Sequence, residues 1–319
     1  MGMLTVVTGL VFVLLLLSLL ATTIMELLAS ALSLRGKNLE KALENMLVTQ
    51  NNKGTTTRNT DTKVPSSNIP AGYDDSVLKE FKDNPLYKQL SYKYGKKRYA
   101  PSYVSSDSFR SILLNVILKG KSFDFDNIKA QVNEITNEEL KEVMLQFINE
   151  AEGDLDRFKS KVGNWYNNVM DRASGWYKRS TQKILVMVGL IIAVVFNADT
   201  LAIYERLESD PAALQEVVQL ADAFVASNDS LTIDRIDPQF QETYENLKYV
   251  LNNQISNIKS PLGLGWKNVD FNKLSPYDWL TKILGYLVTA LSISLGAPFW
   301  FDLLRKIVNL RQSGEKPAE

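Results

Sequence analysis

The sequence predicts an all-α membrane protein with three transmembrane helices, a helical cytoplasmic domain and a smaller helical external region. Three observations carry this. Residues 4–24 (LTVVTGLVFVLLLLSLLATTI) contain no charge, two more apolar stretches follow at residues 184–198 and 280–304, and charge alternates between them. At a rise of 1.5 Å per residue, the first stretch is long enough for a hydrocarbon core about 30 Å thick. A cleaved secretory signal is the rival reading, and Ala29-Ser30-Ala31 resembles a cleavage site. The apolar run is too long for that, however, and Met1-Gly2-Met3 lacks the positive charge such a signal carries. An uncleaved anchor is expected.

The second stretch, ILVMVGLIIAVVFNA, is short for a span, and a buried soluble helix is the alternative. Trp176, Tyr177, Lys178 and Arg179 precede it as an interfacial aromatic and basic anchor, which favours a span. The third is flanked by Tyr277 and Trp279 at one end and by Trp300, Arg305 and Lys306 at the other, and Pro298 is expected to kink it.

Charge supplies the orientation. The 36 Lys and Arg balance 36 Asp and Glu overall, yet residues 35–183 hold 25 basic against 19 acidic side chains and residues 199–278 hold 6 against 13. Arg35, Lys37 and Lys41 follow the first span, Lys178, Arg179 and Lys183 precede the second, and Arg305, Lys306 and Arg311 follow the third. All fall on one side when the N-terminus is outside, as the positive-inside rule requires. The expected organisation is therefore span 1–34 (N-out), cytoplasmic domain 35–183, span 184–198, external acidic region 199–278, span 279–304 and cytoplasmic tail 305–319, multi-pass in a bacterial inner membrane.

Within the cytoplasmic part, residues 49–75 are polar and rich in Gly and Pro, too poor in apolar side chains to offset ordering entropy, and are read as a mobile loop. Residues 87–103 interleave Lys88, Lys93, Lys96, Lys97 and Arg98 with five tyrosines. That composition suits anionic lipid headgroups, with a solvated loop as the plainer alternative and single-stranded nucleic acid the least expected one. Ser105 or Ser106 is expected to cap a helix through Leu118, Asp124 and Asp126 to open another, and Thr136 with Glu139 to form a capping box. From Leu140 to Val169 apolar residues recur at near-heptad spacing, predicting a long helix broken at Gly153, Gly163 or Gly175 and leading into the second span. Its stripe packs within the domain or, alternatively, against a second copy. The external region reads as helices at residues 201–207, 211–226 and 238–258, with Asp210 capping ahead of Pro211. No strand alternation is seen.

The chemistry excluded is extensive. Among 319 residues there is no Cys and no His. That removes disulfides, iron–sulfur clusters, thiol nucleophiles, His-based triads and His- or Cys-based metal sites. There is no phosphate-binding Gly-x-x-x-x-Gly-Lys-Ser/Thr motif and no Gly-x-Gly-x-x-Gly. No enzyme activity and no cofactor is expected, and a neutral total argues against nucleic acid as partner. Ionisable groups near membrane depth are the candidates that remain: Glu26, Asp171, Arg172, Asp199 and Asp302. Asp199 is also placed to cap the chain from Thr200 onward. The candidates for headgroup contact are Lys93, Lys96, Lys97, Arg98, Lys178, Arg179, Arg305 and Lys306. Gly189 with Ala193, and Ser292 with Gly296, are spaced for close helix contact in lipid.

Four segments carry a likeness: ATTIME with LRGKNL (residues 21–26 and 34–39), PSYVSSDSF (101–109), WYNNVMDRASGWYKRSTQ (165–182) with NADT (197–200), and LGAPFWFDLL (295–304). On these the chain resembles a family of bacterial three-span membrane proteins of uncharacterised role. The resemblance implies architecture and draws attention to Glu26, Asp171, Asp199 and Asp302; it implies no activity. Two expectations stand together: a membrane anchor or assembly subunit of a larger complex, or a homo-oligomeric pore subunit. The partners expected are the lipid bilayer, further copies of the chain and other membrane-complex subunits.

Overall fold

The computed structural model describes residues 2–50, 73–94, 97–227, 240–259, 261–267, 269 and 275–314. In chain order it forms α1 (Met3–Ala31), α2 (Leu34–Leu47), β1 (Thr49–Gln50), β2 (Tyr73–Asp74), α3 (Ser76–Asp83), α4 (Pro85–Leu90), β3 (Tyr92–Tyr94), β4 (Lys97–Tyr99), α5 (Ser106–Leu118), α6 (Phe125–Asn133) and α7 (Glu138–Ala151). Then come α8 (Leu155–Val195), α9 (Thr200–Ser209), α10 (Pro211–Ser227), α11 (Phe240–Tyr249), a π-helical segment (Val250–Ile255), α12 (Ser256–Lys259), α13 (Pro276–Ser294) and α14 (Ala297–Gly314). The fold is mostly helical, as predicted. The strands make two small antiparallel ladders. The chain divides into an inserted unit, Ser33–Lys178, and a split unit formed by Met1–Leu32 with Arg179–Glu319.

In the inserted unit the local signals act much as the sequence predicts. Ser105 accepts from the Ser108 amide and Asp124 from the Asn127 amide, each satisfying a donor that the first helical turn leaves open. The expected Thr136 capping box is not formed. Asn137 is the cap, accepting from the Leu140 amide at 2.9 Å, while Thr136 donates to Asp74 at 2.7 Å. Asn137 wins because its carboxamide also donates to the Leu47 carbonyl, tying α2 to α7. The long stripe breaks at Glu152 and Gly153, both at positive φ, and then runs through Gly163 and Gly175 without interruption. Leu140, Met144, Ala151, Phe158 and Val162 are buried in this unit's own core.

Aromatic rings fill that core: Phe109 stacks on Tyr166 at 4.4 Å and lies 5.4 Å from Phe81. The Tyr166 hydroxyl donates to the Val104 carbonyl, and burial pushes the phenol above its ordinary range. Part of the basic-aromatic stretch, for which a solvated loop is one of the sequence readings, forms the antiparallel β3–β4 pair, in which Tyr92 faces Tyr99 with stacked rings. The expected mobile loop is closed at its ends by β1–β2 pairing, and its residues 51–72 lie outside those described. Gly36 sits where an added Cβ would come within 2.7 Å of the Ala100 carbonyl oxygen. Gly36→Ala is therefore expected to destabilise by about 1–3 kcal/mol, although alanine is the better helix former. Thermal unfolding of the full chain in detergent checks this; an unchanged or raised midpoint would contradict it.

The split unit is built around α1, the one described helix that is by itself long and apolar enough to cross a membrane. The bent pairs α8–α9 (49°) and α13–α14 (92°) qualify only when each is counted as one span. α1 is largely covered by protein, with 67% of its most apolar window buried. Leu207 and Leu214 close on Gly9 from α9 and α10, Phe12 meets Phe224 at 5.8 Å, and α14 lies along the helix. Phe224 in turn meets Phe301, and Arg311 of α14 pairs with Asp222 of α10. This pair differs from the sequence expectation, which assigns Asp222 to the external region and Arg311 to the cytoplasmic tail.

The third apolar stretch differs too. Pro298 was expected to kink a continuous helix, but the helix ends at Ser294, Gly296 takes φ +88°, and α14 leaves at 92°. Pro298 instead occupies the second position of the new helix, where a missing N–H costs nothing. The Trp300 indole donates at 2.7 Å to the Ser292 carbonyl, which also accepts from the Leu295 amide at 3.2 Å. Gly189 does make close helix contact, within the chain: its Cβ would lie 3.1 Å from the Ala290 carbonyl oxygen of α13.

Candidate functional site: a polar knot at the end of α8

Helix α8 stops because Asn197 turns left-handed at φ +47°, and the backbone groups freed there are taken up by a neighbouring loop and by α13. Ala198 N–H returns to the Ala193 carbonyl at 2.8 Å, Gly265 N–H donates to Phe196, and the Trp266 indole donates to Val194. The Asn197 carboxamide donates to Gly265 and accepts from both Lys282 (2.9 Å) and the Tyr286 hydroxyl. Asp199, 5% exposed, caps α9 through the Leu201 and Ala202 amides, as the sequence predicts. Thr200 and Thr289 share a hydroxyl contact of 2.7 Å, and Thr289 also reaches the Ala198 carbonyl.

One glycine makes the arrangement possible. A Cβ on Gly285 would fall 1.7 Å from Asp199 Oδ1, so the carboxylate occupies the space a side chain would need. The Lys282 ammonium lies 5.8 Å from the ring centres of both Trp266 and Tyr286, within cation–π range. A cation, an amide, a carboxylate and two threonines are thus held among apolar helices with their hydrogen bonds satisfied. Irregular backbone is tolerated in an apolar setting only under that condition.

The outer faces of the same helices are the reverse. Met187, Leu190, Ile191, Val194 and Val195 are exposed on α8, and Leu280, Ile283, Leu284, Leu287 and Leu291 on α13. The spacing puts each set on one stripe. Ile191 is 55% and Leu291 60% exposed, and a contiguous apolar surface of this kind marks a lipid or protein contact.

The other sequence-predicted residues lie outside the knot. Asp302, Arg305 and Lys306 lie on the exposed side of α14; Glu26 is half-buried on α1. Asp171 and Arg172 are exposed on the inserted-unit part of α8, Lys178 and Arg179 are exposed further along it, and Arg98 donates to the Lys88 carbonyl. Lys96 and the side chains of Lys93 and Lys97 fall outside the described residues. Of the candidates, only Asp199 belongs to the knot. Sequence reasoning missed Trp266, Lys282, Gly285, Tyr286 and Thr289; the available signal was a glycine and a lysine within an otherwise apolar stretch. Among the described residues no group of three or more acidic side chains is arranged to hold a metal.

An all-α chain with at least one membrane-competent helix is the class these observations define. Comparison with known protein families, with curated proteins and with solved structures gives no match to this chain.

Proposed function

We propose that this protein is a non-enzymatic membrane anchor that assembles with other chains, held in a bacterial inner membrane by more than one segment. The observation that carries the reading is the pair of exposed aliphatic stripes on α8 and α13, with the polar Lys282, Tyr286 and Thr289 of α13 turned inward and hydrogen-bonded. Water-soluble helices do the opposite. The resemblance to bacterial three-span membrane proteins agrees with this reading. The Asp222–Arg311 pair supports a modified topology in which α14 turns back alongside α1 instead of completing a third straight span. The inserted unit, a helical body with its own core, is the surface on which partners dock.

The test is the native mass and composition of the particle extracted from membranes in mild detergent. The expected result is recovery from a carbonate-washed membrane fraction with foreign subunits in fixed stoichiometry. A closed ring of identical chains that conducts ions in planar bilayers would overturn the anchor reading in favour of the pore. Recovery in the soluble fraction would overturn both.

A further inference from the structure

In the split unit a groove of about 580 Å³ opens between α1, α10 and the π-helical segment. That volume falls within the range of small-molecule sites. Its floor is apolar: Phe12 and Leu16 from α1, Leu220 and Phe224 from α10, and Ile258. Its wall carries three carboxamides, Asn253, Gln254 and Asn257, with the Tyr249 phenol beside them. The π-helix explains why they share a wall. With i→i+5 bonding the turn is wider than in an α-helix, so residues 249, 253, 254 and 258 come onto one face. Such segments are rare and occur disproportionately at functional sites.

Two features specify the occupant. Among the described residues no charged side chain lines the groove, and none of them would compensate a phosphate or a carboxylate. The carboxamides both donate and accept, which suits hydroxyl groups, and the buried Oε1 of Gln254 has no partner among the described residues. An unsatisfied buried acceptor is costly unless something donates to it. From the apolar floor, the uncharged amide wall and this acceptor, we infer that the groove binds an uncharged, hydroxyl-bearing lipid of the acylglycerol class. The acyl chain lies on Phe12, Leu16 and Phe224, and the glycerol hydroxyls meet Asn253, Gln254 and Asn257.

The experiment uses the full chain in nanodiscs of zwitterionic phospholipid, titrated with fluorescently labelled diacylglycerol, alongside mass spectrometry of lipids that co-purify. The wild type is expected to saturate near one lipid per chain and to retain neutral glycerolipid on purification. Ala223 lines the groove and is exposed, so Ala223→Trp fills the space without disturbing the core and is expected to weaken binding at least tenfold. Should that variant fold poorly, Asn253→Leu combined with Asn257→Leu removes exposed amides instead and is expected to weaken binding similarly, with an unchanged melting temperature. Retention of anionic phospholipid only, absence of saturable binding by the wild type, capture of a peptide in the groove, or undiminished binding by a folded groove variant would each overturn the inference.

Discussion

Gly285→Ala is expected to lower stability by about 2–4 kcal/mol, the combined cost of overpacking and of a lost helix cap. At an ordinary helix-interior position the same change is favourable by roughly 0.5–1 kcal/mol, because glycine has more backbone entropy to lose on folding. The sign reverses here because the methyl group would overlap the Asp199 carboxylate, whose Oδ1 lies 1.7 Å from the ideal Cβ position. Asp199 would have to leave its site, uncapping α9 at the Leu201 and Ala202 amides. A double-mutant cycle with Asp199→Gly, which removes the obstructing carboxylate, separates clash from propensity. The second glycine is expected to make Gly285→Ala nearly neutral. Equal damage in both backgrounds would show that the carboxylate is not the obstacle.

The second large effect concerns Arg311. Its guanidinium pairs with Asp222, the two side chains being only 16% and 33% exposed, and Arg311 Nη1 and Asp222 Oδ1 are both buried with no further partner among the described residues. Removing one member of a buried pair typically costs 3–5 kcal/mol; the residual exposure here reduces the expectation to about 1–3 kcal/mol for Asp222→Ala. The charge-swapped double variant, Asp222→Arg with Arg311→Asp, is expected to recover at least half of that loss. Since the chain has no cysteine, Asp222→Cys with Arg311→Cys also gives a clean cross-linking test in intact membranes. Efficient cross-linking by a short bis-maleimide is expected, because positions separated by an arginine–aspartate pair are too far apart for a direct disulfide. Failure to cross-link, together with labelling of the two positions from opposite sides, would restore three straight spans.

Much of the local structure was legible because its causes lie within four residues. Asp199, Asp210, Ser105 and Asp124 all cap helices as their positions predict, since a cap needs only a short polar side chain ahead of a helical run. Thr136 and Asn137 show the limit. Either can cap, and the choice falls to Asn137 through its bond to Leu47, a residue 90 positions away. The knot was illegible for the same reason: Asn197 meets Lys282 and Tyr286 across 85 and 89 positions. Hydropathy identified α1 without showing how fully its leucines are covered by protein, because apolar side chains serve a core and a bilayer equally well. Segment charge counts likewise averaged over Asp222 and Arg311, whose pairing is what separates a returning α14 from a third span.

The central claim is that the outward faces of α8 and α13 meet lipid. Nitroxide labels placed singly at Ile191, Leu284, Leu287 and Leu291 of the full chain in nanodiscs test it, with Asn164 on the exposed inserted-unit part of α8 as the aqueous reference. Collision with oxygen should dominate at the four apolar positions, and collision with a water-soluble nickel chelate should dominate at Asn164. Free access of the nickel chelate to residues 191 and 284 would place those faces in water and contradict the account.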